Sequence, residues 1–206
     1  MSGTCLLTLD IQSYWHIGNG KEAGAYADAL VLRNAHGLPY LPGKSLKGLL
    51  REAFTVALNH QWFADAPKEL VSLLFGDENR TGLEAQGLIQ LTSATLTGEE
   101  EAFFQREPAA RAHLFEVIAS TAIDPDTGIA KGGSLRTLEV AVPMRLHASI
   151  NLNTGHPHYL AQANHLEKHF PVWLGQAVTL ITELGAKRHR GLGRVVVTVE
   201  PVQEAA

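Results

Sequence analysis

A chain of 206 residues with 45% hydrophobic content can bury a proper core, which excludes a disordered protein and suits one domain or two half-domains sharing an interface. A net charge of −4 and a pI near 6.2 exclude a protein that coats nucleic acid with its whole surface. Cys5 alone makes no internal disulfide, Met1-Ser2-Gly3-Thr4 lacks the basic and apolar regions of a secretory signal, and no apolar run spans a bilayer, so a reducing, cytoplasmic setting is expected.

In chain order, residues 4–13 alternate, with Leu7, Leu9 and Ile11 on one face and Thr8, Asp10 and Gln12 on the other, which predicts a half-buried strand. A loop with Gly18, Gly20 and Gly24 follows, and 29–32 is expected to re-enter a sheet. Leu46, Leu49, Leu50, Ala53, Phe54, Ala57 and Leu58 recur at helical spacing and predict a helix to about Trp62. A shorter helix over 67–74, a polar loop over 77–82 and a strand over 88–96 come next. The charged stretch 99–111 reads as partly helical. Beyond it, 114–123 and 129–142 read as extended arms around Asp124-Pro125-Asp126-Thr127-Gly128, whose composition makes a turn. Met144, Leu146, Ala148 and Ile150 mark another strand, 158–184 a second long helix broken at Pro171, and Val195, Val197 and Val199 a closing strand. Strand, helix, strand, repeated once, is an α+β, ferredoxin-like plan with an inserted hairpin.

Chemistry concentrates in two basic, glycine-bearing bends, expected to line one trough on an otherwise acidic body. In the first, Pro42-Gly43-Lys44-Ser45 sets a rigid turn before the helix, with Ser45 as its expected N-cap and a start near Leu46. Lys44, Lys47 and Arg51 fall at spacings of three and four beside backbone N–H groups without helical partners, an end that attracts phosphate. Gly43-Lys44-Ser45 imitates the end of a nucleotide-binding P-loop, but five residues rather than four separate Gly37 from Gly43, and Pro39 and Pro42 remove N–H groups the loop would need. The second bend is Lys187-Arg188-His189-Arg190-Gly191-Leu192-Gly193, where glycines let the backbone approach a phosphate. The alternative for each is a solvated charged face.

The ten histidines suggest no metal centre. His165 and His169 lie one helical turn apart, but Glu167 is one position later than the zinc-protease pattern requires, and His156 and His158 sit beside Pro157 in a loop. Surface histidines are the expected outcome, and Cys5 has no visible acid-base pair to make it a nucleophile.

Four segments, at 42–51, at 74–76 with 87–89, at 123–139 and at 185–194, resemble in order and spacing the RAMP superfamily of CRISPR-associated proteins, and together span nearly the whole chain. The chain is most similar to the backbone subunits of type III effector complexes. That resemblance implies a single domain over 1–206, a modified RNA-recognition-motif-like fold whose insertion at roughly 114–139 forms a β-hairpin thumb, and a glycine-rich C-terminal loop. It implies a thumb tip of Ile123, Asp124, Pro125 and Ile129. It also implies guide RNA contacts from Gly43, Lys44, Ser45, Lys47, Arg51, Lys187, Arg188, His189, Arg190, Gly191 and Gly193. The expected partners are guide CRISPR RNA, target RNA, other effector subunits and further copies of the chain.

The resemblance further places Asp28 where such subunits can carry a carboxylate that cleaves target RNA with a divalent metal, Mg2+ or Mn2+. RNA carries its own nucleophile, the 2′-OH, so a carboxylate that binds a cation or positions that hydroxyl can suffice. The alternative for Asp28 is a loop-stabilising carboxylate. Arg136 either meets RNA at the thumb base or pairs with Glu139. Two other functions stay open: a metal-independent endoribonuclease processing repeat RNA, with His16 or His36 as general base, and a non-catalytic structural subunit.

Overall fold

The structure, a computed structural model, describes residues 4–20, 27–77, 79 and 81–202. Gly24 and the expected Ala25-Tyr26 approach to Asp28 lie outside the described residues. The first strand, β1 (Cys5–Ile11), buries Cys5, Leu7, Leu9 and Ile11, as its alternation predicts. It lies between β5 (Met144–Leu152) and β6 (Val195–Pro201), antiparallel to both, with Leu9 opposite Leu146 and Val197. The short β2 (Ile89–Leu91) pairs with the far side of β5, which gives the order β2-β5-β1-β6. The expected strand over 88–96 is thus cut short, although isolated bridges from Ala94 to Leu41 and from Thr95 to His147 continue its path.

Two helices cover the apolar face of this sheet. Helix α1 (Gly43–Asn59) buries Leu46, Leu50, Ala53, Phe54 and Ala57, and α4 (Pro157–Val178) buries Leu166, Phe170, Trp173, Leu174 and Ala177 against α1 and β6. Phe54 sits 5.2 Å from Phe63 and 5.4 Å from Phe75 at the C-terminal end of α2 (Leu70–Phe75), and Phe63 meets Trp173 at 6.2 Å, centroid to centroid. The opposite face is polar, with Thr8 bonded to His147, Asp10 paired to Arg145 and Gln90 to Asn151.

Local chemistry moves three expected boundaries. Helix α1 begins at Gly43, directly after Pro42, so Ser45 is its third residue rather than its cap, and no side chain caps this end. It also stops at Asn59, since Gln61 adopts a positive φ of 59°. In α4 the irregular residue is Gln162 (φ −136°), three residues into the second turn, whereas Pro171 lies inside continuous helix.

Between the two halves, α3 (Gly98–Arg106) starts with a reciprocal capping box of Thr97 and Glu100. A 3-10 stretch leads into β3 (Phe115–Ser120), which pairs antiparallel with β4 (Arg136–Ala141) in a separate two-stranded sheet. Beyond Ser120 the two chains run on through an Ile123–Ala130 bridge to the turn at 124–128. The expected arms and turn are therefore a continuous hairpin.

Candidate nucleic-acid interface

The base of the hairpin is where distant segments meet. Asp28 donates its N–H to the Thr137 carbonyl at 3.0 Å, while its own Oδ2 accepts the Thr137 N–H at 2.7 Å. Glu139 N–H then donates to the Ala29 carbonyl at 3.0 Å, and Ala29 bridges Leu138 in parallel. Residues 28–29 thus form an added rung beside β4, and 30–32 pair by backbone with 17–19. Asp28 is solvent-exposed there, and its second oxygen, Oδ1, has no partner among the described residues. It is both a loop-stabilising carboxylate and one with a free oxygen.

Glu139 fixes the same segment from the inside. It is fully buried; Oε2 accepts the Val31 N–H at 2.9 Å and Oε1 the Arg33 guanidinium at 2.7 Å. The Arg33 guanidinium lies 3.7 Å over the Phe115 ring, so one cation satisfies the buried carboxylate and covers β3. Arg136 therefore does not pair with Glu139: three positions apart on one strand, they project from opposite faces. Arg136 remains exposed at the start of β4, opposite Ser120.

The glycine-rich bend reaches this base through Leu192, which packs on Leu138 and Val140 with Ala29 and Ile118 alongside. Its backbone is pinned to the segment after β1: Ala186 N–H to the His16 carbonyl and Gly193 N–H to the Tyr14 carbonyl, each at 2.8 Å. Gly193 is obligatory, with φ 75° and room for a Cβ only 1.9 Å from the Leu184 oxygen. Lys187 takes a left-handed conformation (φ 57°) without being glycine, a strained position at the tip of a bend with Arg188, His189 and Arg190. Asp28, Arg136 and the second bend are thus brought to one joint.

The first bend lies elsewhere. Lys44 and half-buried Lys47 border a hollow of about 480 Å3 with Tyr40 at its rim and Ile89 and Leu91 below. Burial, and then the neighbouring Arg51 charge, push the Lys47 ammonium below its ordinary pKa. Gly43 allows α1 to begin against backbone, since a Cβ there would sit 3.1 Å from the Leu91 and Thr92 oxygens, and its N–H is taken by Ser93 Oγ at 3.1 Å. The N–H groups of Lys44 and Ser45 stay free among the described residues. Arg188 instead pairs at 3.6 Å with Glu52, on another flank of α1, about 140° round the helix from Lys47. The single trough expected from sequence is two basic surfaces separated by a crest at Gly48, with Ser45 on the Glu52 side of it.

At the hairpin tip, Ile123 and Ile129 are 62% and 66% exposed. Asp124 Oδ1 accepts N–H groups of Asp126 and Thr127 at 3.0 Å, which closes the turn and holds this carboxyl below its ordinary pKa. Pro125 follows inside that turn.

Among the described residues no group of three His, Cys, Asp or Glu side chains could hold a metal ion. His169 stacks on Trp173 and His165 meets both rings at a tilt, with His165 Nε2 on the Asp65 carbonyl. Burial in β1 raises the Cys5 thiol pKa, which removes it as a nucleophile. His16 is buried with Nδ1 2.7 Å from the Glu139 carbonyl, closed to a substrate, while His36 lies exposed in the turn before Gly37. Sequence reading missed Arg33 and Thr137 and offered Glu139 the wrong partner. The one available signal was an odd charge inside an otherwise apolar strand.

The family model described as the RAMP superfamily matches residues 8–196. No curated protein matches the sequence. A chain from a cryo-EM structure of the type III-B Cmr-beta bound to cognate target RNA superposes with a TM-score of 0.69 at 10% identity, covering 95% of this chain and 96% of that one. A chain of the apo state of type III-B Cmr-beta gives a TM-score of 0.62 at 12% identity, with 98% of each covered. No helix among the described residues is long and apolar enough to cross a membrane.

Proposed function

The chain belongs to the RAMP superfamily, and on that footing we propose that it is a guide-RNA-binding backbone subunit of a type III CRISPR ribonucleoprotein effector, acting on guide-paired target RNA. The observation that carries this reading is the joint where Asp28, the hairpin base and the glycine-rich bend converge on Leu138, Thr137 and Leu192. The strand order β2-β5-β1-β6 with helices on one face supports a modified ferredoxin-like plan for a single domain. In this role the hairpin is the thumb, with Ile123 and Ile129 its apolar tip.

Guide RNA would meet Lys44, Lys47 and Arg51 on one flank and Lys187, Arg188 and Arg190 on the other, crossing α1 over Ser45 and Gly48, where a Cβ at Gly48 would meet nothing within 4 Å. Free N–H groups at Lys44 and Ser45 suit a phosphate oxygen there. Partners in this role are target RNA, neighbouring effector subunits and copies of the chain itself.

Asp28 is the candidate catalytic residue. Its Thr137 bonds aim Oδ2 inward and leave Oδ1 to solvent, so the protein offers one oxygen. That fits Mg2+ or Mn2+ only in a shell completed by water and phosphate oxygens, a mode open to hard cations. Such an ion would stabilise charge developing on the scissile phosphate. Without help from a second acid, Asp28 itself positions the 2′-OH or accepts its proton.

Purification with its neighbours followed by sequencing of bound RNA tests the binding role; protein free of RNA under low salt removes it. Asp28→Asn keeps an acceptor for the Thr137 N–H while removing the charge. It is expected to abolish target cleavage, as EDTA would, with guide binding and assembly intact. Wild-type cleavage by this variant would remove the catalytic role of Asp28.

A further inference from the structure

The second flank of α1 holds a cleft of which the proposed phosphate contacts use only Arg188. Its volume is about 250 Å3, below the roughly 300–1,000 Å3 of sites for drug-sized ligands, so it suits one planar ring system. Leu180, Ile181 and Val56 form its apolar lining, and Val56 is 42% exposed. The rim is polar and of mixed sign. Arg188 and Glu52 stand on it at a loose 3.6 Å with exposed His189 beside them, and the half-buried residue Glu183 lines it with a carboxylate that has no partner among the described residues.

The mixed rim narrows the occupant. A phosphate would meet the uncompensated Glu183 charge, and a bare cation would lack ligands, since no three-residue metal group exists among the described residues. An aliphatic ligand would leave Glu183 desolvated without a donor. A flat ring bearing two adjacent N–H donors satisfies everything: its faces rest on Ile181 and Val56 or under the Arg188 guanidinium, and its edge donates to a carboxylate. Of the four RNA bases only guanine carries two neighbouring donors, N1–H and the 2-amino group. Adenine and cytosine set an amino group beside an acceptor, and uracil sets one N–H between two oxygens.

We propose that the cleft between α1 and the glycine-rich bend is a guanine-reading subsite, with Glu183 accepting from N1–H and the 2-amino group and Arg188, held by Glu52, covering the ring. The inference rests on the RNA-binding role: an extruded base enters here while its phosphate stays on the bend. Glu183 bridges Arg194 in antiparallel fashion, so its backbone is fixed where the residue lines the cleft.

The test uses the full chain and free nucleosides first. Guanosine, at millimolar concentration, is expected to shift the methyl NMR signals of Val56 and Ile181. Inosine, which lacks only the 2-amino group, should bind about tenfold more weakly, and Glu183→Gln should erase that difference at unchanged melting temperature. Equal binding of guanosine and inosine by the unaltered protein, or no shift at either methyl, overturns the subsite. Short single-stranded RNAs with guanine or inosine then separate the two claims. RNA bound with equal affinity for both bases keeps the RNA-binding role and discards the subsite, whereas failure to bind any RNA discards both.

Discussion

The two basic bends solve the same problem by different means. At the first, Pro42 and a helix start present amines and free N–H groups on a rigid platform set against the backbone of residues 91–92. At the second, a looped backbone is bent through positive φ at Lys187, Gly191 and Gly193 and pinned by bonds to Tyr14 and His16. The first carries its charge on a regular element, with Lys44 exposed and Lys47 half-buried; the second spends conformational strain to raise cations on an irregular one. Adaptability should therefore reside in the second, and stiffness in the first.

The largest expected break of that contrast comes from alanine at a glycine of each bend. Gly193→Ala drives a Cβ into the Leu184 carbonyl at a positive φ and is expected to cost about 3 kcal/mol, read from urea melts. Gly43→Ala meets oxygens at 3.1 Å and gains helix propensity of up to about 1 kcal/mol, so it should come out near neutral. Equal losses would mean that both bends depend on glycine alike.

A middle-sized effect is expected at Lys187. Glycine there relieves left-handed strain worth about 1 kcal/mol, whereas alanine retains it. Both variants should lower RNA affinity and reduce the salt slope by about one unit, and only Lys187→Gly should raise the melting temperature. A more stable glycine variant with unchanged RNA affinity would make the strain incidental.

The smallest effect follows pH at Lys47. Its folded-state pKa lies below 10.5, first through burial and then through Arg51, so folding disfavours the charged amine. The penalty is complete below the folded pKa and is relieved as pH rises toward the unfolded value. Wild-type stability should thus climb slightly across that alkaline window relative to Lys47→Met, while RNA affinity falls as the ammonium is lost. A flat difference between the two proteins would show that Lys47 is not desolvated.

Local pattern made much of the body legible. The alternation of Leu7, Leu9 and Ile11 and the helical recurrence of Leu46, Leu50 and Phe54 each report a buried face that a short window contains. Asp124-Pro125-Asp126 likewise closes its turn within a few residues. What sequence hid is long-range. Asp28 meets Thr137 across 109 positions, a pairing no window contains, and the rung it makes lies beside β4 and not in the main sheet. The neighbours Arg136 and Glu139 look like an ion pair along the string, but strand pleating separates them and Arg33 arrives from another loop. Ser45 misled because Pro42 already fixes the entry to α1. The separation of the two bends followed from which side of α1 the chain returns on after α4, a fact of packing.

Glu139 and Thr137 are alternate residues of one strand, and between them they hold residues 28–33 by carboxylate and backbone alike. Tilting the hairpin therefore drags that stretch with it, as an oar turns in its lock. Through β4 the exposed acid at the root and the apolar tip at the far end belong to one hydrogen-bonded piece of backbone.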